Sequence, residues 1–285
     1  MSGWKKLGVI AGGGELPILL AEHLSVTQRP YFVARIANMA DASLERHPGA
    51  THNLGLMGAR MDAMREAGVD TVVILGQVAR PDLKTLELDD VARAMLPTIL
   101  AAMSQGDDAL LRALLAEHER AGFRVIGADQ VMQELLASAG AWGAISPSES
   151  QMTDIKHAAK VAAATGALDI GQGVVVCDGL VLAVEAQEGT DAMLRRVADL
   201  PQTIRGAQQA RRGVLVKRPK PIQELRVDLP TIGVRTIEGV ANAGLAGLAI
   251  EAHAALAVRR ADMIAAANRA GVFIYGFTRA EMGET

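Results

Sequence analysis

Residues 213–233, GVLVKRPKPIQELRVDLPTIG, gather four basic groups that can meet a phosphate: Lys217, Arg218, Lys220 and Arg226. One carboxylate, Asp228, follows them directly. Prolines at 219, 221 and 230 remove backbone donors and restrict φ, so the segment is predicted to be a stiff, irregular loop. Clustered cations beside a single placed acid suit phosphoryl or diphosphate chemistry. The cations neutralise oxygens, and the acid holds a metal or activates water. The plain structural alternative is a solvated basic loop capping a sheet.

A second group lies in residues 180–196, LVLAVEAQEGTDAMLRR. An alternating β-type run ends in Glu185, Gln187 and Glu188, and Gly189-Thr190-Asp191 then turns the chain into a helix with Thr190 or Asp191 as N-cap. The open N–H groups and positive dipole end of such a helix suit an anion. Acids beside an anion site make sense when a divalent cation joins them to the phosphates. The ordinary alternative is a capped helix with Asp191 and Arg195 paired four residues apart. The catalytic acids are therefore expected in the order Asp228, Asp191, Glu188, with Asp228 and Asp191 as ligands of Mg²⁺ (Mn²⁺ as a substitute). Glu185 ranks last because it could face the core side of its strand. Lys217, Lys220 and Arg226, with the Thr190 hydroxyl, are expected on phosphate oxygens.

GVIAGGGELP follows the first strand and opens a helix, the place where doubly wound folds hold phosphates. As a dinucleotide fingerprint it fails: Pro17 stands where a third small residue should pack, and no acid follows Arg35-Ile36-Ala37 for a ribose. That weakens a nicotinamide-dependent oxidoreductase. The backbone donors of Gly12, Gly13 and Gly14 still offer a phosphate site, with a tight strand–helix turn as the alternative. Asp107 and Asp108 are expected to cap and complement the next helix start in GDDALLR, a metal role being the lesser reading. The six histidines do not cluster. His23, His118, His157 and His253 fall on predicted helices without a second ligand one turn on, which argues against a histidine metal centre.

These groups need elements to hold them. Strands are predicted at 6–11, 30–37, 71–78 and 123–128, alternating with helices after the glycine loop and at MDAMREAG, 88–103 and 107–121, and with a closing helix in QVMQELLASAG. That alternation implies right-handed crossovers and a parallel, doubly wound sheet. SAGAWGAISPSES (138–150) breaks the periodicity and is expected to be a linker between a Rossmann-like domain (1–137) and a C-terminal α+β domain (151–285). In the latter a helix near 150–165 precedes two β runs joined at Asp178-Gly179, a two-residue hairpin signal. A helix-rich tail ends in VFIYGF. Its helices after Gly233 could line an apolar cleft or simply fill a core.

Half of the 285 residues are hydrophobic but only 3% aromatic, which argues against a nucleic-acid surface of stacked rings. A net charge of −3 gives no overall attraction to nucleic acid or anionic lipid. Cys177 is the only cysteine, so no intramolecular disulfide or cysteine zinc site forms. Without a signal-peptide core or an 18-residue apolar run, a cytoplasmic protein is expected.

Taken in order, GVIAGGGELP, ILGQVARP, GDDALLR, GFRVIG, LDIGQGVVV, AVEAQEGTDAMLRR and VKRPKPIQELRVDLPTIG resemble the LpxI-type UDP-2,3-diacylglucosamine pyrophosphatases of lipid A biosynthesis. The ordered set covers nearly the whole chain. One departure is Glu224 after Gln223, where the family pattern leads one to expect aspartate. The resemblance implies Mg²⁺-dependent hydrolysis of UDP-2,3-diacylglucosamine to UMP and 2,3-diacylglucosamine 1-phosphate (lipid X). It also implies an N-terminal Rossmann-like domain and a distinct C-terminal domain. The substrate-binding set then comprises Gly12, Gly13, Gly14, Gln172, Thr190, Lys217, Lys220 and Arg226. A lipid-linked UDP-sugar substrate, no nucleic-acid partner, peripheral contact with the inner face of the inner membrane and a homodimer are the accompanying expectations. The competing class is a non-catalytic nucleotide-sensing regulatory protein. Asp228 discriminates, because a pure anion binder gains nothing from an acid among cations.

Overall fold

The computed structural model describes residues 3–79 and 85–284, so Arg80 and Pro81 of ILGQVARP lie outside the described residues. The chain divides into two compact units, Met1–Gln133 with Glu224–Val227, and Glu134–Gln223 with Asp228–Thr285.

Unit 1 runs β1 (Leu7–Ala11), α1 (Glu15–Val26), β2 (Tyr31–Ile36), β3 (Gly49–His52), α2 (Met57–Glu66), β4 (Thr71–Leu75), α3 (Asp90–Met103), α4 (Asp107–Arg120), β5 (Arg124–Val125) and α5 (Ala128–Val131). Its five strands are all parallel in the order β3-β2-β1-β4-β5, a doubly wound sheet. β1 is buried at every position, as a strand covered on both faces must be, which is why it reads as an unbroken apolar run. β3 escaped the sequence reading because GATH is short, weakly apolar and only half-buried. The predicted 123–128 strand shrinks to the two residues of β5.

Unit 2 contains β6 (Gly140–Trp142), α6 (Glu149–Ala167), β7 (Gly173–Cys177), β8 (Leu180–Val184), α7 (Gly189–Ala198), α8 (Gln202–Arg205), β9 (Gly206–Ala207), β10 (Ala210–Arg211), β11 (Val214–Lys217), β12 (Thr231–Ile232), α9 (Val234–Asn242), β13 (Gly247–Glu251), β14 (Leu256–Ala257), α10 (Arg260–Ala270) and β15 (Phe273–Phe277). Its main sheet has the order β6-β15-β13-β11-β7-β8, parallel through β11, β13 and β15 and antiparallel at both ends. Asp178 and Gly179 both take positive φ (49° and 79°), the backbone that a two-residue hairpin with matching twist requires.

Strand alternation sorts the core into two layers. Val174, Val176, Val214 and Val216 pack with Ile155, Ala158 and Ala162 of α6 on one face. Val175, Ala183 and Leu215 pack with Met193 and Leu194 of α7, Ile237 and Val240 of α9 and Met263 of α10 on the other. The helices after Gly233 thus fill this core with their apolar faces.

Two expectations are corrected here. Residues 138–150 are not a linker throughout: β6 pairs antiparallel with β15, and Trp142 is buried with its Nε1 donating to Ser138 O at 3.0 Å. The glycines that broke the sequence periodicity, Gly140 and Gly143, sit at φ 88° and 89° and turn the chain at either end of that strand. The predicted closing helix stops at Val131, where Met132 leaves helical geometry. Leu136 and Ala137 are instead drawn out along 255–256, with Ala137 N donating to Ala255 O at 2.9 Å. Tertiary pairing overrides local helix propensity.

Candidate active site

The last residue of β11, Lys217, lies on the α7 face of the sheet, two residues beyond core residue Leu215. It is 4% exposed, and its Nζ donates to Thr190 Oγ1 at 2.7 Å. Thr190 stands in the first turn of α7 and donates in turn to Glu185 Oε1 at 2.9 Å. Glu185 is 6% exposed, and its Oε2 has no hydrogen-bond partner. The same alternation accounts for its place, because Glu185 follows core residue Ala183 by two on the same run. Gly171 and Gly173 make room for it: a Cβ at either would overlap the Glu185 carbonyl or carboxylate.

No side chain caps α7, whose N-cap is Glu188. The expected cap by Thr190 or Asp191 is therefore corrected: the Thr190 hydroxyl bridges Lys217 and Glu185, and Asp191 pairs with Arg235 at 2.6 Å rather than with Arg195. Glu188 is held by Arg196 at 2.7 Å, a hydrogen bond that lowers its carboxyl pKa below the ordinary value. An uncapped helix start beside a buried ammonium is suited to an anion.

The other three cations each meet carboxylates. Arg218, adjacent to Lys217, points to the opposite face of the sheet and is 3% exposed. It donates to Ala159 O on α6 and to Glu284 in bidentate fashion at 2.7 Å, and forms an ion pair with Glu251 at 2.9 Å. Burial lowers its pKa, but the Glu284 and Glu251 carboxylates outweigh that and hold it above the usual arginine value. Lys220 pairs with Asp169 at 2.5 Å. Arg226 belongs to unit 1, where Glu224 grips it at 2.9 and 3.0 Å and Glu119 at 2.5 Å. The hydrogen bond it donates to Glu224 is the larger cause of its raised pKa. Glu224, the departure from the family pattern, also takes part in an acidic–basic knot: its N–H donates to Asp108 Oδ1 at 2.7 Å, and Asp108 accepts from Arg112 at 2.7 Å. Asp108 is thus occupied, and α4 starts on Gly106 without a side-chain cap.

Gln172, just before β7, accepts Arg218 N on its backbone carbonyl at 3.1 Å and Gln223 Nε2 on its side chain at 3.4 Å, which ties the basic loop to the sheet. Asp228 is half-buried where the chain re-enters unit 2. Two residues on, Pro230 O accepts Leu256 N at 2.8 Å, and Thr231–Ile232 pairs with Leu256–Ala257, so the backbone after Asp228 is firmly held.

In unit 1 the glycine loop has a mainly structural cause. Gly12 N donates to Leu75 O and Gly13 N to Gln77 O, both at 2.8 Å, and a Cβ on Gly12 would lie 2.6 Å from Gln77 O. Those two amides are spent within the fold. Gly14, at φ 95°, and the uncapped start of α1 remain. His253 lies in a turn at φ 61°, not on a helix. Among the described residues no three of His, Cys, Asp and Glu gather as a metal cage.

The LpxI N-terminal domain family matches residues 6–135, and the LpxI C-terminal domain family matches residues 138–275. The UDP-2,3-diacylglucosamine pyrophosphatase LpxI of Caulobacter vibrioides is 53% identical over 272 residues, covering 95% of this chain and 97% of that protein. The chain belongs to the LpxI family. Within this LpxI fold, Glu185 lies on the core side of its run, the position that its sequence context allowed. One step of alternation from buried Ala183 places it there, where a carboxylate needs a partner.

Proposed function

We propose that this chain hydrolyses the diphosphate of UDP-2,3-diacylglucosamine to UMP and 2,3-diacylglucosamine 1-phosphate, a step of lipid A biosynthesis. The observation that carries the reading is 53% identity, across both domains, to a protein named for that activity. Unit 2 supports it with a buried ammonium whose partner is a hydroxyl and not a carboxylate, so its charge is left to meet phosphate oxygens. Water adds to one phosphorus, the bridging P–O bond breaks, and the departing phosphate carries the displaced electron pair. Lys217 offsets the charge that grows on these oxygens, in a dry site where such donors act most strongly. Asp228 orients or deprotonates the water.

A divalent cation fits the donor set in one way. Asp191 and Asp228 offer hard oxygen ligands, and the Arg235–Asp191 pair, with Arg235 84% exposed, is weak enough to exchange. Mg²⁺ typically takes one or two carboxylates and completes its shell with phosphates and water. Bound there, it would supply Lewis-acid neutralisation of the diphosphate. We further propose that the chain meets its acylated substrate peripherally at the cytoplasmic membrane face; no helix among the described residues is long and apolar enough to cross a membrane.

The direct test is to incubate the purified chain with UDP-2,3-diacylglucosamine and Mg²⁺ and follow UMP and lipid X. Both should appear in equal amounts, and release of neither rejects the reading. Lys217→Ala should lower kcat/KM about 10²-fold, through KM, kcat or both, without unfolding the protein. An unchanged kcat/KM would return Lys217 to a purely structural role.

A further inference from the structure

Lys217, Gly173 and Glu185 form one row across neighbouring strands. Lys217 is in register with Gly173 on β7, and Glu185 N donates to Gly173 O at 2.8 Å. Adjacent strands lie about 4.8 Å apart, so the backbones of Lys217 and Glu185 are about 10 Å apart and their side chains can approach only over the central glycine. Gly173 keeps that space open, because a Cβ there would overlap Glu185 Oε2. Into it comes the Thr190 hydroxyl, accepting from Lys217 Nζ at 2.7 Å and donating to Glu185 Oε1 at 2.9 Å.

A hydroxyl has one proton. While Glu185 is an anion that proton is committed to Oε1, so Thr190 turns its lone pairs toward Lys217 and has nothing to donate to a phosphate. The ammonium has three donors, of which Thr190 takes one and thereby fixes the direction of the rest. If neutralising a buried lysine were the only task, direct contact would serve better, since attraction falls with separation. The interposed hydroxyl gives up attraction for direction.

We propose that Glu185 is a positioning residue of the hydrolysis site, acting through the Thr190 hydroxyl to aim the Lys217 ammonium at the phosphate oxygens of the substrate. This rests on the diphosphate hydrolysis proposed above. Glu185 does not touch substrate, and Lys217 rather than Thr190 is the donor.

The test is a double-mutant cycle on the full-length chain with UDP-2,3-diacylglucosamine as substrate. Glu185→Ala should lower kcat/KM about 10²-fold, the scale of an ångström's misplacement. Glu185→Gln, which keeps an oxygen for the Thr190 proton, should recover most of that loss. In a Lys217→Ala background Glu185→Ala should cost less than about threefold, because a residue acting through Lys217 has nothing left to aim. Should Glu185→Ala not fold, Thr190→Val replaces it: it removes the bridge at constant shape and must likewise lose its effect without Lys217. Multiplicative losses, a glutamine no better than alanine, or full activity without Glu185 overturn the proposal while the hydrolase reading stands. A wild-type chain that releases no UMP overturns both.

Discussion

Asp228→Ala is expected to lower kcat for UDP-2,3-diacylglucosamine by about 10³-fold, the scale of losing a group that handles the attacking water. KM should not rise. Asp228 follows a run of cations, yet Lys220 and Arg226 already have Asp169, Glu224 and Glu119 to balance them, and Arg218 has Glu251 and Glu284. Those three cations therefore already have acids of their own. Asp228 is half-buried, and the backbone two residues beyond it is held by the Pro230–Leu256 bond. A carboxylate beside a diphosphate repels the ground state, so its removal eases binding while it stops the chemistry. Asp228→Asn keeps the shape and discards the charge, and should lose as much. The check is steady-state kinetics with direct titration of substrate onto the inactive variant. Near-normal kcat in both variants would move the acid role elsewhere, and a large rise in KM would make Asp228 a binding group.

How much of this was legible in the chain depends on how local each cause is. The β7–β8 hairpin was legible because Asp178-Gly179 carries its reason in two residues, both tolerant of positive φ. The parallel sheet of unit 1 was legible because a strand buried on both faces is an apolar run. Lys217 and Arg218 were grouped together from sequence, yet they occupy opposite faces of the sheet, one beside Thr190 and the other beneath α6. Extending β11 by one residue in the alternation would have separated them. The distant acids that hold the other cations were not legible: Asp169 is 51 residues from Lys220, and Glu119 is 107 from Arg226. Nothing local encodes pairs that only the tertiary fold brings together. The glycine loop has a local cause as well. Its residues have the composition of a phosphate cradle, but Gly12 is demanded by the close approach of Gln77 O and its amide by Leu75 O.

Excess EDTA is expected to abolish turnover, and added Mg²⁺ or Mn²⁺ to restore it. The acids of unit 2 explain why such an ion would be bound only together with substrate. Glu188 is engaged by Arg196 and Asp191 by Arg235, and Glu185 gives one oxygen to Thr190. Among the described residues no three potential ligands stand ready around one point. A cation needing six oxygens would find at most two carboxylates here, so phosphate and water must supply the rest, as Mg²⁺ commonly arranges in phosphate sites. Two observations should follow. The ion should leave on simple dialysis of the free protein, and the Mg²⁺ concentration giving half-maximal rate should fall as substrate rises, because each ligand completes the other's site. Asp191→Asn should raise that Mg²⁺ requirement and leave the maximal rate at saturating metal within about tenfold, whereas Asp228→Ala should not be rescued by any metal concentration. Calorimetry of Mg²⁺ with the unsubstituted chain, with and without a non-hydrolysable methylene-bridged analogue of the substrate, separates shared binding from a preformed site without relying on turnover. Full activity in EDTA would remove the cation and leave Lys217 and the start of α7 to neutralise the diphosphate alone.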